Sequence, residues 1–288
     1  MRDVFYDTTT ALLDEDPRTA LVVADISASA FDDAHRRHPD RVFNVGIREQ
    51  LMAGVAGGLA LTGMRPILHS YAPFLIDRAY EQIKLDFGHQ DTGAVLVSIG
   101  ASYDAAAEGY THQSPGDVAL LDTLDGWTVH VPGHRDEVPE LLRSAARTDE
   151  RVYVRLSVQE NSRSHRNGSV LRRDGSPVVV AVGPMLDPVL AATREMAVTV
   201  LYVNTPRPLD PAALRELVTG EIVLVEPYAA GTSAHLVSEA LRDRPHRSLH
   251  LGAGRAEVRR YGTWRDHARV HGLDAAGLQR SIADFLSA

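Results

Sequence analysis

Cysteine is absent from the chain. That excludes a disulfide framework and thiolate metal ligation, and it is compatible with a reducing, intracellular compartment. Long apolar runs are also lacking. The first residues, MRDVFYDTTTALLDEDPR, carry charges throughout their opening turns, so neither a signal peptide nor a membrane span is expected and a cytoplasmic protein is the default expectation. The net charge is −8 and the basic residues are scattered, which argues against a nucleic acid or an anionic membrane as the main partner. Any bound phosphate must then be held by a few placed groups. No repeat of fixed period occurs. What remains is ordinary globular composition: 288 residues, 44% hydrophobic and 24% charged, with Gly 22 and Pro 15, enough length for two domains.

Short β-branched runs recur at Ala20 to Asp25, Ala94 to Ile99, Trp127 to Val131 and Val152 to Leu156. They alternate with segments of helical period, Phe74 to Phe87 and Arg135 to Arg147. Alternation of this kind predicts a doubly wound α/β domain with a parallel sheet. From Gln159 to Ser176 the chain becomes polar, QENSRSHRNGSVLRRDGS, and reads as a connection between domains. The alternation restarts with runs at Val178 to Val182, Val198 to Val203, Glu221 to Glu226 and Ser248 to Leu251. The expected architecture is therefore two α/β domains, residues 1–165 and 178–288, with 166–177 as linker. Ligands of open α/β sheets collect where strands end. Here Asp25-Ile-Ser-Ala-Ser29, Gly100-Ala-Ser102 and Arg155 follow or end such runs. Taken singly, each is ordinary turn chemistry.

From Arg41 to Leu61 the chain reads RVFNVGIREQLMAGVAGGLAL. Its small residues, Ala53, Gly54, Ala56, Gly57, Gly58 and Ala60, fall on more than one face of a helix expected to open near Asn44 to Ile47. Each interior Gly costs about 1 kcal/mol relative to Ala, so the helix calls for close approach by another backbone. Glu49 and Gln50 lie in the first turn, where an exposed acid would gain about 0.3–1 kcal/mol from the helix dipole. For a lone Glu that reading would suffice.

The surrounding stretches give Glu49 another meaning. Met1-Arg-Asp, Ala24-Asp-Ile-Ser27, Asn44-Val-Gly-Ile-Arg-Glu-Gln50, Phe74 through Arg78-Ala-Tyr-Glu-Gln82, Thr111-His-Gln113, Val131-Pro132 and Tyr153-Val-Arg-Leu156 resemble, in order, the pyrimidine-binding domain of transketolases. Ala181-Val-Gly-Pro184, Arg207-Pro-Leu-Asp210 and Val225-Glu226 resemble the C-terminal domain of that family. The resemblance implies a thiamine-diphosphate-dependent enzyme. Glu49 matches the glutamate that hydrogen-bonds a ring nitrogen of the cofactor's aminopyrimidine and promotes its imino tautomer, a role that calls for a desolvated pocket and a raised pKa. Phe74 matches the aromatic that stacks on the pyrimidine, and Tyr71 a second aromatic there. Asp25 and Ile26 match the groups supporting the bent cofactor. His112 matches a histidine facing the reacting sugar carbons. Arg2, Ser29 and Arg155 match positions that hold the sugar phosphate, a task suited to the planar arginine fork. Glu108 matches a substrate-binding aspartate.

Such families carry the cofactor's diphosphate and its Mg²⁺ on a domain marked by Gly-Asp-Gly followed further on by Asn. This chain has no such segment: Gly116-Asp117 precedes Val118, and Asp174-Gly175 lies in the expected linker. The resemblance therefore implies one subunit of a split transketolase, with a complementary N-terminal-half subunit supplying the diphosphate and metal domain. Self-association would then give a heterotetramer. Departures gather around the substrate. Gly100 stands where many transketolases have histidine, Ala106-Ala-Glu-Gly109 replaces Gly-Glu-Asp-Gly, and Tyr110 replaces a small residue or proline. These imply an unusual acceptor. Alternatives are a β subunit of a 2-oxo-acid dehydrogenase, a deoxyxylulose-phosphate-synthase-like enzyme, whose expected arginine corresponds to Ala101, and a non-catalytic regulatory subunit.

Overall fold

The computed structural model describes all 288 residues. Six strands, β1 Thr19–Val23, β2 Val42–Asn44, β3 Arg65–Tyr71, β4 Val95–Ile99, β5 Trp127–His130 and β6 Arg151–Arg155, form one sheet in the order β2-β1-β3-β4-β6-β5. Every pairing is parallel. β1 and β4 are buried along their whole length because helices cover both faces, which is why they read as continuous apolar runs. On one face lie Met52, Ala53 and Ala56 of the helix Glu49–Leu61, with Ile76, Ile83 and Phe87. On the other lie Phe5, Leu12 and Leu13 of the helix Arg2–Glu15, with Leu142 and Ala145. The chain steps from β1 to β2 on one side and then to β3 on the other. That reversal opens a crevice at the carboxyl ends of β1 and β3, the usual ligand position in such sheets.

Strand β3 was not expected. Arg65, His69 and Ser70 are all buried in it, and these polar residues interrupt the apolar pattern that betrays a central strand. The helix expected from Phe74 to Phe87 is present but uneven. It widens into π-helical turns at Pro73–Asp77 and Ile83–His89 around a short α-helical turn at Tyr80–Gln82. Such widenings often accompany functional sites. The glycine-rich helix starts at Glu49 rather than nearer Asn44. Its close backbone approach is real at one position: a Cβ on Gly57 would lie 2.7 Å from the Cβ of Asp86. Gly58 faces open space, beside exposed Ile47, Leu51 and Leu61.

The second sheet has the order β11-β10-β8-β9-β7, built from β7 Val170–Arg173, β8 Val178–Val182, β9 Thr199–Val203, β10 Glu221–Ala229 and β11 Arg247–Ala253. The stretch 166–177 is thus more than a linker, since β7 pairs antiparallel with β9 as an edge strand. Its polar composition suits a strand that is only partly covered. The two domains are joined by backbone hydrogen bonds, Val131 N–H to the Asn204 carbonyl and Ala229 N–H to the Pro115 carbonyl, both 2.7 Å. Val182 and Tyr228 of the second domain also enter a core cluster of the first. No helix is long and apolar enough to cross a membrane.

Candidate active site

Glu49 is the first residue of its helix and is 2% exposed. The side chain is buried beside a charged partner. Arg78 Nη1 donates to Glu49 Oε2 at 2.8 Å. The same guanidinium lies over the Phe74 ring, 4.4 Å from its centroid, a cation–π arrangement. Phe74, Tyr71 and His112 form a cluster of edge-on rings, with centroids 5.0 Å apart for Phe74 and His112, 5.4 Å for Tyr71 and His112, and 5.9 Å for Tyr71 and Phe74. Residues from two distant segments, the end of β3 and the loop after β4, therefore share one wall.

Glu108 ties that wall together. The Tyr71 hydroxyl donates to its Oε1 at 3.1 Å, and its Oε2 lies 3.0 Å from His112 Nε2. Thr111 Oγ1 is 3.0 Å from His112 Nδ1. These contacts suit the tautomer with the proton on Nε2, Thr111 donating to Nδ1. Burial, and then the charge of Glu108, push the Tyr71 hydroxyl above the ordinary tyrosine range, which keeps it a donor. Gly100 makes room for this ring. Its φ is +67°, and a Cβ there would lie 2.2 Å from Tyr71 Cδ1. The missing side chain noted in the sequence is thus filled by an aromatic ring from the neighbouring strand.

Arg2, Tyr71, Gly100, Glu108 and Arg135 line a cavity of about 430 Å³. Arg2 is exposed and donates to Ser27 Oγ at 3.0 Å. Ser27 was not singled out, yet it joins several elements. It accepts from the Tyr6 hydroxyl at 2.8 Å and lies 3.1 Å from His69 Nε2. His69 Nδ1 meets the Val97 carbonyl at 2.8 Å. Burial holds the His69 pKa down at about 3, so the ring is neutral, donating through Nδ1 and accepting from Ser27. Asp25, Ile26 and Ser29 stand at the end of β1, one strand over from this wall. Asp25 has φ 71° and Ser27 φ 64°, a sharp turn of costly backbone conformation. Asn44 Oδ1 supports it by accepting from the N–H groups of Asp25 at 2.9 Å and Gly46 at 3.0 Å. Asp25 and Ser29 are exposed, while Ile26 is half-buried against the core.

Arg155 has a different place from the one expected. It is 1% exposed, with Nε donating to Asp117 Oδ2 and Nη2 to Ser102 Oγ, both at 2.7 Å. Asp117 also accepts from the Tyr153 hydroxyl at 2.7 Å, and Ser102 donates to the Pro227 carbonyl of the second domain. The guanidinium is an internal strut between β6, the His112 loop and the C-terminal domain, and a substrate phosphate has no access to it. Nothing in the sequence around Arg155 distinguished these two uses of an arginine. No group of three or more His, Cys, Asp or Glu side chains converges as a metal site.

Residues 1–163 match the family model described as transketolase, pyrimidine binding domain. The chain is 50% identical to an uncharacterized 33.6 kDa protein in the fasciation locus of Rhodococcoides fascians, over 99% of this chain and 95% of that one. It is 30% identical to one of the subunits of apulose-4-phosphate transketolase from Actinobacillus succinogenes, over 88% of each chain. It is 31% identical to 1-deoxy-D-xylulose-5-phosphate synthase of Chromobacterium violaceum, over 88% of this chain but only 43% of that enzyme. Among solved structures, a split-gene transketolase in an inactive β4 tetramer superposes with a TM-score of 0.84 at 25% identity, covering 99% of this chain and 98% of that one. The chain therefore belongs to the transketolase pyrimidine-binding family, with the two-domain span of a split-transketolase subunit.

Proposed function

We propose that this chain is the pyrimidine-binding subunit of a two-chain, thiamine-diphosphate-dependent transferase that moves a two-carbon ketol unit from a phosphorylated ketose to an acceptor. The observation that carries the reading is a buried carboxyl group, Glu49, joined through Arg78 to the face of Phe74, with the His112 and Phe74 ring centroids 5.0 Å apart. A carboxyl group able to hydrogen-bond a ring nitrogen and an aromatic face are what an aminopyrimidine requires, so the residues present fit that part of the cofactor. When bound, the cofactor supplies a thiazolium carbon nucleophile for breaking a carbon–carbon bond beside a carbonyl. Glu49 would hold the pyrimidine ring by a hydrogen bond, and Phe74 would fix its plane. His112, oriented by Glu108 and Thr111, would move protons at the substrate hydroxyls. Tyr71 and Glu108 would close the substrate side, Arg2 and Ser29 would meet the donor phosphate, and Asp25 and Ile26 would support the bent cofactor.

The diphosphate and Mg²⁺ would be held by a complementary subunit. Support for such a partner comes from the exposed Ile47, Leu51 and Leu61 beside open Gly58, and from relatives described as transketolase subunits. Two copies of each chain would give a heterotetramer, at work with its phosphorylated substrates in the cytoplasm. The deoxyxylulose-phosphate synthase reading is less well supported, because Ala101, where an arginine was expected, is 2% exposed and apolar. The experiment is to assay donor consumption by this chain alone and after adding a chain bearing the Gly-Asp-Gly domain, with Mg²⁺ and thiamine diphosphate. Turnover of a ketose phosphate only in the mixture, lost in Glu49→Gln, is expected. Turnover by the chain alone sinks the split-enzyme reading, and CO₂ release from a 2-oxo acid instead of ketol transfer moves it to another branch of the family.

A further inference from the structure

The pyrimidine subsite already contains a planar, N–H-donating group, and it comes from the protein. Arg78 follows the π-helical turn Pro73–Asp77, and its backbone N–H closes that turn on the Pro73 carbonyl at 3.0 Å. From there its guanidinium folds back over Phe74, 4.4 Å from the ring centroid, and donates to Glu49 Oε2 at 2.8 Å. Both contacts use the groups an aminopyrimidine would use: the buried carboxyl of Glu49, which would hydrogen-bond the ring nitrogen, and the face of the aromatic ring. A guanidinium is planar and delocalised, so it competes for the same flat space and the same carboxyl group, although it can only donate there.

We propose that Arg78 is a surrogate for the cofactor's aminopyrimidine, occupying its subsite until the ligand displaces it, and thereby setting the affinity of this chain for the cofactor. The inference rests on reading Glu49 and Phe74 as the pyrimidine subsite. One carboxylate edge and one ring face cannot serve two flat groups at once. Exposure explains how the exchange is possible, since the Arg78 side chain is 41% accessible whereas Glu49 is 2% accessible. The arginine can swing into water, but the glutamate cannot follow it. A buried carboxylate without a partner is disfavoured, so in the free chain the guanidinium is away only a small fraction of the time. The free chain is then mostly in the closed form, and its apparent cofactor affinity is reduced by the small fraction that is open.

The test is isothermal titration of the full 288-residue chain with thiamine diphosphate plus Mg²⁺, and separately with 4-amino-5-hydroxymethyl-2-methylpyrimidine, in wild type, Arg78→Ala and Arg78→Met. Arg78→Met keeps an apolar stem over Phe74, so a packing defect in the alanine variant does not decide the result. Both variants are expected to bind the pyrimidine compound about ten- to a hundredfold more tightly than wild type, the factor expected if the open form is about 1–10% of the population. Arg78→Lys, which keeps the charge but loses the plane, should fall between. Adding Glu49→Ala to Arg78→Met should abolish the gain. Equal or weaker binding by both variants, with wild type binding measurably, overturns the surrogate role while leaving the pyrimidine subsite intact. Binding unchanged by Glu49→Ala, or absent in every variant, overturns the subsite reading and the inference with it.

Discussion

Gly100→Ala probes how the substrate wall is built. At this position φ is +67°, and the new Cβ would sit 2.2 Å from Tyr71 Cδ1, against an ordinary contact of 3.4–4 Å. Two costs follow. An L side chain in the left-handed region costs about 1–2 kcal/mol, and displacing the ring amounts to overpacking, about 1–3 kcal/mol. The second cost exists only while the ring of Tyr71 is there. In the wild-type background the substitution should therefore cost about 2–5 kcal/mol, and in a Tyr71→Ala background only about 1–2 kcal/mol. Urea unfolding of the four proteins of this cycle, followed by circular dichroism, gives the coupling directly. A moved ring also surrenders the Tyr71 hydrogen bond to Glu108, so His112 should lose its orientation and turnover in the reconstituted enzyme should fall in Gly100→Ala. An identical cost of Gly100→Ala in both backgrounds would refute the idea that Tyr71 fills the place of a side chain at position 100.

Two further outcomes follow from buried polar groups. Arg155→Leu leaves Asp117 buried and unpaired and should lower stability by about 3–5 kcal/mol, whereas Arg155→Leu with Asp117→Leu should recover much of it. A near-normal KM for a phosphorylated donor in the double variant, measured with the partner subunit, separates the strut from a phosphate ligand, which would show a large rise in KM. His69 sets an acid limit. Its folded pKa is about 3 against an ordinary value of 6.5, so the unfolded chain takes up a proton below about pH 6.5 that the folded chain refuses until about pH 3. The associated stability is fully present above pH 6.5 and falls by up to about 1.4 kcal/mol per pH unit below it. Urea unfolding of wild type and His69→Gln between pH 7 and 4 should show a shallower decline in the variant, and parallel declines would rule out His69 as the source.

Much of the architecture follows from local pattern. The apolar runs of β1, β4, β6 and β8 to β10 are legible because strands covered on both faces need apolar side chains at nearly every position. The stretch around Glu49, with Phe74 and Thr111-His112-Gln113, was likewise readable as a constellation, since residue types in order survive in one dimension. Strand β3 was not, because its His69, Ser70 and Arg65 are satisfied or packed by other segments, and the polar letters hide a buried strand. β7 was lost in a polar stretch for a similar reason, as an edge strand needs little apolar cover. What the sequence left open was which partner each charged group would meet. Arg78 reaches Glu49 across 29 residues and Arg155 reaches Asp117 across 38. An arginine that binds substrate, one that braces two domains and one that fills a ligand's place are the same letter. Only packing in three dimensions decides whether its guanidinium faces water, a buried carboxylate or the face of an aromatic ring, because that choice depends on contacts between segments distant along the chain.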